Sequence, residues 1–118
     1  MLIPEQRALP GLILPDASSA RVTEPEPGLA REVLVHTPAM MLVRHRMRKG
    51  WRGTSHNHPH EQMVYVIGGI IEIEVDGKLH RASAGDSFIV ASNAIHQATA
   101  LEDAVVLDVF TPGRKEYL

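Results

Sequence analysis

Residues 70–82, "IIEIEVDGKLHRA", decide the fold class. Ile71, Ile73 and Val75 alternate with Glu72 and Glu74, the two-residue period of a strand with one face in a core and the other in water. Asp76-Gly77 follows, the dipeptide that suits a two-residue hairpin turn, whose central residues both need positive φ. On either side of this hairpin, strand-length apolar pieces separated by turn residues recur at "AMMLVRHRM" (39–47), "MVYVI" (63–67), "SFIVA" (87–91), "IHQATA" (95–100) and "AVVLDVF" (104–110). No window of a dozen residues carries a helical stripe. Regularly spaced short strands predict an all-β sandwich or barrel.

The chain has 118 residues, of which 44% are hydrophobic and only 4% aromatic. That suits one domain with an aliphatic core divided among several small elements. Residues 1–30 hold five of the eight prolines and show neither strand nor helix periodicity. They are read as an extended arm preceding a barrel domain over 31–118. The apolar "LPGLILP" in the arm predicts that it packs along the barrel or a neighbouring subunit. Together with exposed sheet edges it predicts a homodimer. A formal net charge of -2 gives no general attraction to nucleic acid or an anionic membrane. The basic run "RHRMRKGWRG" (44–53) alternates with Val43, His45 and Met47 and reads as a strand with one polar face. Prolines 4, 10 and 15 break the first apolar segment, so neither a signal peptide nor a membrane span is expected there. There is no cysteine and hence no disulfide framework. A cytoplasmic location is the default.

Chemistry concentrates just before the decisive hairpin, in "HNHPHEQ" (56–62). In an extended chain His56 and His58 point to one side, close enough to share an ion. Gln62 keeps that parity and offers an amide oxygen, while Pro59 leaves the phase open and His60 competes for the role. A stable site needs a further ligand from elsewhere, and His96, carried on the strand after "GDSFIVASNAI", is the leading candidate over His36, His45 and His80. A lone H-x-H pair is also compatible with a solvated polar turn.

The spacing of the whole segment resembles the cupin family. Gly50, His56, His58, Gln62 and Gly69 fall on the family's first motif, G-x5-H-x-H-x3-E-x6-G, with glutamine for glutamate. Gly85 and His96 fall on the second motif, G-x5-P-x-G-x2-H. Ala91, Asn93 and Ala100 stand where the family usually has proline, glycine and asparagine. The resemblance implies a double-stranded β-helix, or jelly-roll barrel. It also implies one divalent transition metal (zinc, nickel, cobalt, iron, manganese or copper) held by His56, His58, Gln62 and His96. Three imidazoles and an amide are all neutral, so such an ion keeps its full charge and acts as a stronger Lewis acid.

In "AVVLDVFTPGR", Asp108 and Phe110 share one strand face and Arg114 follows shortly after. In one phase Val105, Leu107 and Val109 form the core and Asp108 is solvated. In the other, Asp108 and Phe110 face the barrel mouth, where a carboxylate, an aromatic wall and a guanidinium suit a small acidic sugar. The D-x-F-x3-R spacing and the "HPHEQ" context resemble the small pectin- and alginate-catabolic cupins, which convert 4,5-unsaturated uronate monosaccharides to linear keto forms. That resemblance implies Asp108 as the acid/base group, Phe110 as the sugar-facing wall and Arg114 as the carboxylate clamp. A metal-dependent cupin dioxygenase and a non-enzymatic ligand-binding or sensor cupin are the competing readings.

Overall fold

A computed structural model describes residues 6–17 and 22–118. Its strands are β1 (Gln6–Leu9), β2 (Leu12–Pro15), β3 (Thr23–Glu26), β4 (Leu29–His36), β5 (Met41–Met47), β6 (Glu61–Gly68), β7 (Ile70–Val75), β8 (Lys78–Ser83), β9 (Ser87–Val90), β10 (His96–Ala100) and β11 (Ala104–Thr111), and a 3-10 helix spans Lys115–Tyr117. A six-stranded antiparallel sheet in the order β3-β4-β5-β11-β6-β9 faces a three-stranded sheet in the order β10-β7-β8, and β1 and β2 pair as a separate hairpin. This is the expected all-β jelly roll.

The hairpin that decided the class lies where its pattern puts it. Ile71 and Ile73 are buried, and the turn has Asp76 at φ 49° and Gly77 at φ 78°, the left-handed pair that a two-residue hairpin turn requires. Gly69, between β6 and β7, is constrained from two sides. Its φ is 80°, and a Cβ built there would lie 2.1 Å from the Asp103 carbonyl oxygen. Gly69→Ala is therefore expected to destabilise the fold by about 2–3 kcal/mol or more, read as a lower urea midpoint at unchanged slope.

The segment expected as an arm is extended but organised where it is described. Its hairpin, β1 and β2, docks through Gln6, whose amide donates to the His36 carbonyl (3.1 Å) and accepts from the His36 N–H (2.8 Å). β3 joins the edge of the six-stranded sheet beside β4, and the expected division at residues 30 and 31 falls within β4. Leu9, Leu12 and Leu14 remain about half exposed. Residues 1–5 and 18–21 of the arm lie outside the described residues.

Alternation along β5 and β11 divides the interior. Met41, Val43, His45 and Met47 point inward from β5, and Ala104, Val106, Asp108 and Phe110 from β11. One apolar cluster contains Met47, Val64, Val66, Ile71 and Val106, and the other contains Val33, Met41, Val43, Phe110 and Tyr117. His45 and Asp108 lie between them in sequence on both strands. Buried polar groups are costly unless hydrogen-bonded, so their partners locate the site. On the outer face Arg44 and Arg46 meet Glu32 at 3.0 and 3.6 Å, as the one-polar-face reading of the basic run anticipates.

Candidate metal centre

Backbone pairing brings the two histidine segments together. His56 and His96 form an antiparallel bridge, with N–H to O distances of 3.0 and 2.9 Å. Asn93 takes the left-handed conformation (φ 65°) that the family's glycine would supply, which asparagine tolerates better than most residues. Its N–H donates to the His58 carbonyl at 2.8 Å, and the Ser92 hydroxyl donates to the Pro59 carbonyl at 2.6 Å. The turn before His96 thus survives the loss of both family residues.

One ring nitrogen from each of His56, His58 and His96 lies within 4.8 Å of the others. In every case Nδ1 faces a backbone carbonyl: Thr54 at 2.8 Å, His60 at 2.9 Å and Ala94 at 2.9 Å. A carbonyl only accepts, so each Nδ1 carries the proton and each neutral ring leaves a lone pair on Nε2. Burial also holds the pKa of His58 and His96 below the ordinary imidazole value, favouring that neutral form.

Gln62 completes the arrangement. It points inward with Val64 and Val66, and its Nε2 donates to Asp108 Oδ1 at 2.7 Å. That contact turns Oε1 toward His58 Nε2, 3.2 Å away. Two acceptor lone pairs face each other across this gap, an arrangement a cation would stabilise. The donor set therefore fits a transition metal ion: three imidazole nitrogens and one amide oxygen, each oriented by an outer hydrogen bond.

From Gln62 a polar row crosses the inner face of four adjacent strands. Asp108, 3% exposed, accepts from Gln62 on one oxygen and from His45 Nδ1 on the other, the latter at 2.7 Å. His45 Nε2 in turn accepts from Arg31 Nε at 3.0 Å. Since Arg31 can only donate, His45 is fixed as the neutral Nδ1–H tautomer. The row thus runs Arg31 (β4), His45 (β5), Asp108 (β11) and Gln62 (β6).

Of the two phases open for β11, the structure adopts the one with Asp108 and Phe110 inside. Val105, Leu107 and Val109 lie on the other face and are only partly buried. Phe110 is fully enclosed, its ring 6.0 Å from that of His58 and 5.6 Å from that of Tyr117. Arg114 lies 5.0 Å over the Phe110 ring and 4.3 Å over Tyr117, and its Nε donates to Glu116 at 2.7 Å. His60 stands apart from the three clustered nitrogens, with its carbonyl holding His58 and its ring 6.4 Å from Phe110. Glu61 is exposed. A cavity of about 250 Å³ opens onto His56, His96, Gln62, Asp108, Phe110 and Arg114, with Trp51, Met47 and Ile73 among its apolar walls.

Arg31 and Tyr117 also line this cavity, and sequence reasoning missed both. Arg31 carried a signal: Leu29, Arg31 and Val33 alternate, which places a charge on an apolar strand face. The step between Val33 and Val35 in the pairing with β5 breaks that alternation early. Tyr117 sits in a 3-10 turn with no periodic cue.

Fold and candidate site together define a small jelly-roll barrel with three clustered histidines suited to a metal ion. The cupin domain family matches residues 43–110, and the chain belongs to it. The chain is 31% identical over 93 residues to the pectin degradation protein KdgF of Dickeya dadantii, covering 77% of this chain and 84% of that protein. The solved structure of KdgF from Halomonas sp. superposes with a TM-score of 0.81 at 37% identity, covering 87% of this chain and 97% of that one. An RmlC-like cupin from Shewanella frigidimarina superposes with a TM-score of 0.85 at 28% identity, covering 96% and 98%.

Proposed function

We propose that the protein is a metal-dependent enzyme that opens 4,5-unsaturated uronate monosaccharides to their linear keto forms. The observation that carries this reading is Gln62, whose amide holds Asp108 on one side and faces the His58 lone pair on the other. One residue thus links a metal ligand set to a carboxylate lining the same cavity. The similarity to the KdgF proteins, one of them described as a pectin degradation protein, supports the choice of substrate class.

His56, His58, His96 and Gln62 would hold the ion. When bound, it supplies Lewis-acid polarisation of substrate oxygens. The rest of the chemistry is proton movement. The C1 hydroxyl loses a proton, the C1–O5 bond breaks to leave an aldehyde, and O5 emerges as the C5 enol. Moving a proton to C4 then gives the C5 ketone, so the sum is an isomerisation without a co-reactant. Asp108 takes and returns the proton: both its oxygens accept hydrogen bonds, yet a carboxylate has about four acceptor sites in all. Phe110 forms an apolar wall for the ring, and Arg114 provides positive charge for the substrate carboxylate.

The reaction consumes a double bond conjugated to a carboxylate. Adding metal-loaded protein to a 4,5-unsaturated uronate is expected to accelerate the loss of its ultraviolet absorbance. A rate equal to the spontaneous one would overturn the assignment.

A further inference from the structure

Two guanidinium groups line the cavity, and they differ in one respect. Arg114 is paired with Glu116 at 2.7 Å. Arg31 has no carboxylate within ion-pair distance among the described residues, although it is partly buried and burial lowers its pKa from the ordinary arginine value. It remains a cation at neutral pH.

Its position is nonetheless fixed. Nε donates to His45 Nε2 at 3.0 Å, and the guanidinium carbon lies 3.7 Å above the centre of the Tyr117 ring. One edge is held by a hydrogen bond and the plane by an aromatic face, while among the described residues no hydrogen bond occupies the two terminal nitrogens. Asp108 and Glu26 act on the guanidinium only from beyond ion-pair distance, and burial outweighs them, so the partly desolvated cation is incompletely compensated in the protein alone. A planar fork held in advance suits a carboxylate, which it can bind through two parallel hydrogen bonds.

We propose that Arg31 is the principal carboxylate anchor of the cavity and selects acidic over neutral sugars. The assignment deepens the uronate reading above and rests on it for the sugar class. Arg114, its charge partly balanced by Glu116, contributes less to this selection. Arg31 contacts the ligand directly; its hydrogen bond to His45 is a second, positioning role toward Asp108.

Binding of galacturonate and of galactose to the zinc-loaded protein, followed by calorimetry, separates these roles. Neither sugar has the reactive double bond, so the result does not depend on turnover. The wild-type protein is expected to prefer galacturonate by about tenfold or more, the scale of a charge-assisted contact. Arg31→Gln is expected to reduce that preference to within about twofold, and Arg31→Lys, which keeps the charge without the fork, to leave an intermediate one. His45→Asn removes the Nε contact but leaves the cation, so the preference is expected to persist. Equal binding of both sugars by the wild type, or an undiminished preference in Arg31→Gln, would overturn the anchor. So would a His45→Asn variant that loses the preference as fully as Arg31→Gln, since Arg31 would then act only through His45. If the preference behaves as expected while the ultraviolet assay fails, the anchor stands and the ring-opening reaction falls.

Discussion

Asp108→Asn is expected to lower turnover of a 4,5-unsaturated uronate by about 10²–10⁴-fold, the range associated with a positioned acid/base group. Its effect should extend to the metal. Asp108 accepts on both oxygens, from Gln62 and from His45, and an amide can accept on only one. His45 cannot adapt, because Arg31 occupies its Nε2 as a donor and keeps the proton on Nδ1. The new amide must therefore turn its oxygen to His45 and its NH2 to Gln62. Gln62 then flips, pointing its own NH2 at His58 and withdrawing its oxygen from the ligand set. Ion affinity is expected to fall by about 10–100-fold, as for other residues that orient metal ligands. Competition against a chelator measures this part, and turnover at saturating ion isolates the chemical part. Near-normal turnover at saturating ion would remove Asp108 from the proton-transfer role.

Gln62→Glu restores the cupin family's usual acid and is expected to impair the proposed ring opening. The change replaces a donor 2.7 Å from Asp108 with a second carboxylate. Two carboxylates at that distance do not both ionise freely: one holds a proton or the pair separates. At the same time an anionic ligand cancels part of the ion's charge and its Lewis acidity. Ion affinity is expected to be maintained or raised while turnover at neutral pH falls by about 10–100-fold. Chelator competition and a pH–rate profile of the variant test both halves. Wild-type turnover in this variant would show that Asp108 does not require a neutral neighbour. On this account glutamine at position 62 is matched to aspartate at 108, two residues that neighbouring strands β6 and β11 bring together.

Much of the barrel could be read from the chain because its strands announce themselves. Ile71, Ile73 and Val75 alternate cleanly, and Asp76-Gly77 marks its turn. β4 was harder to read: Leu29, Arg31 and Val33 alternate, but the irregular pairing between Val33 and Val35 shifts the period and leaves that pattern too short to stand out. The histidine cluster was legible because H-x-H spacing is local. His45 was harder to judge, since its burial and its bond to Asp108 depend on strands 63 residues apart in sequence. The two phases of β11 could not be separated by pattern alone, because Val105, Leu107 and Val109 are as apolar as the alternating set that includes Asp108. What selected the phase is partnership: His45 and Gln62 satisfy a buried carboxylate, which hydrophobicity by itself would have placed outside.

The bridge between His56 and His96 and the link from Asn93 to His58 are made of main chain. The ligand-bearing loops are thus stitched to each other by hydrogen bonds that include no metal ligand atom. In small zinc domains the metal is a keystone, and binding it is much of the folding free energy. Here the ligands hang on sheets that have apolar clusters of their own, so an ion is expected to be a tenant: stripped by a chelator or swapped for another species without taking the barrel apart.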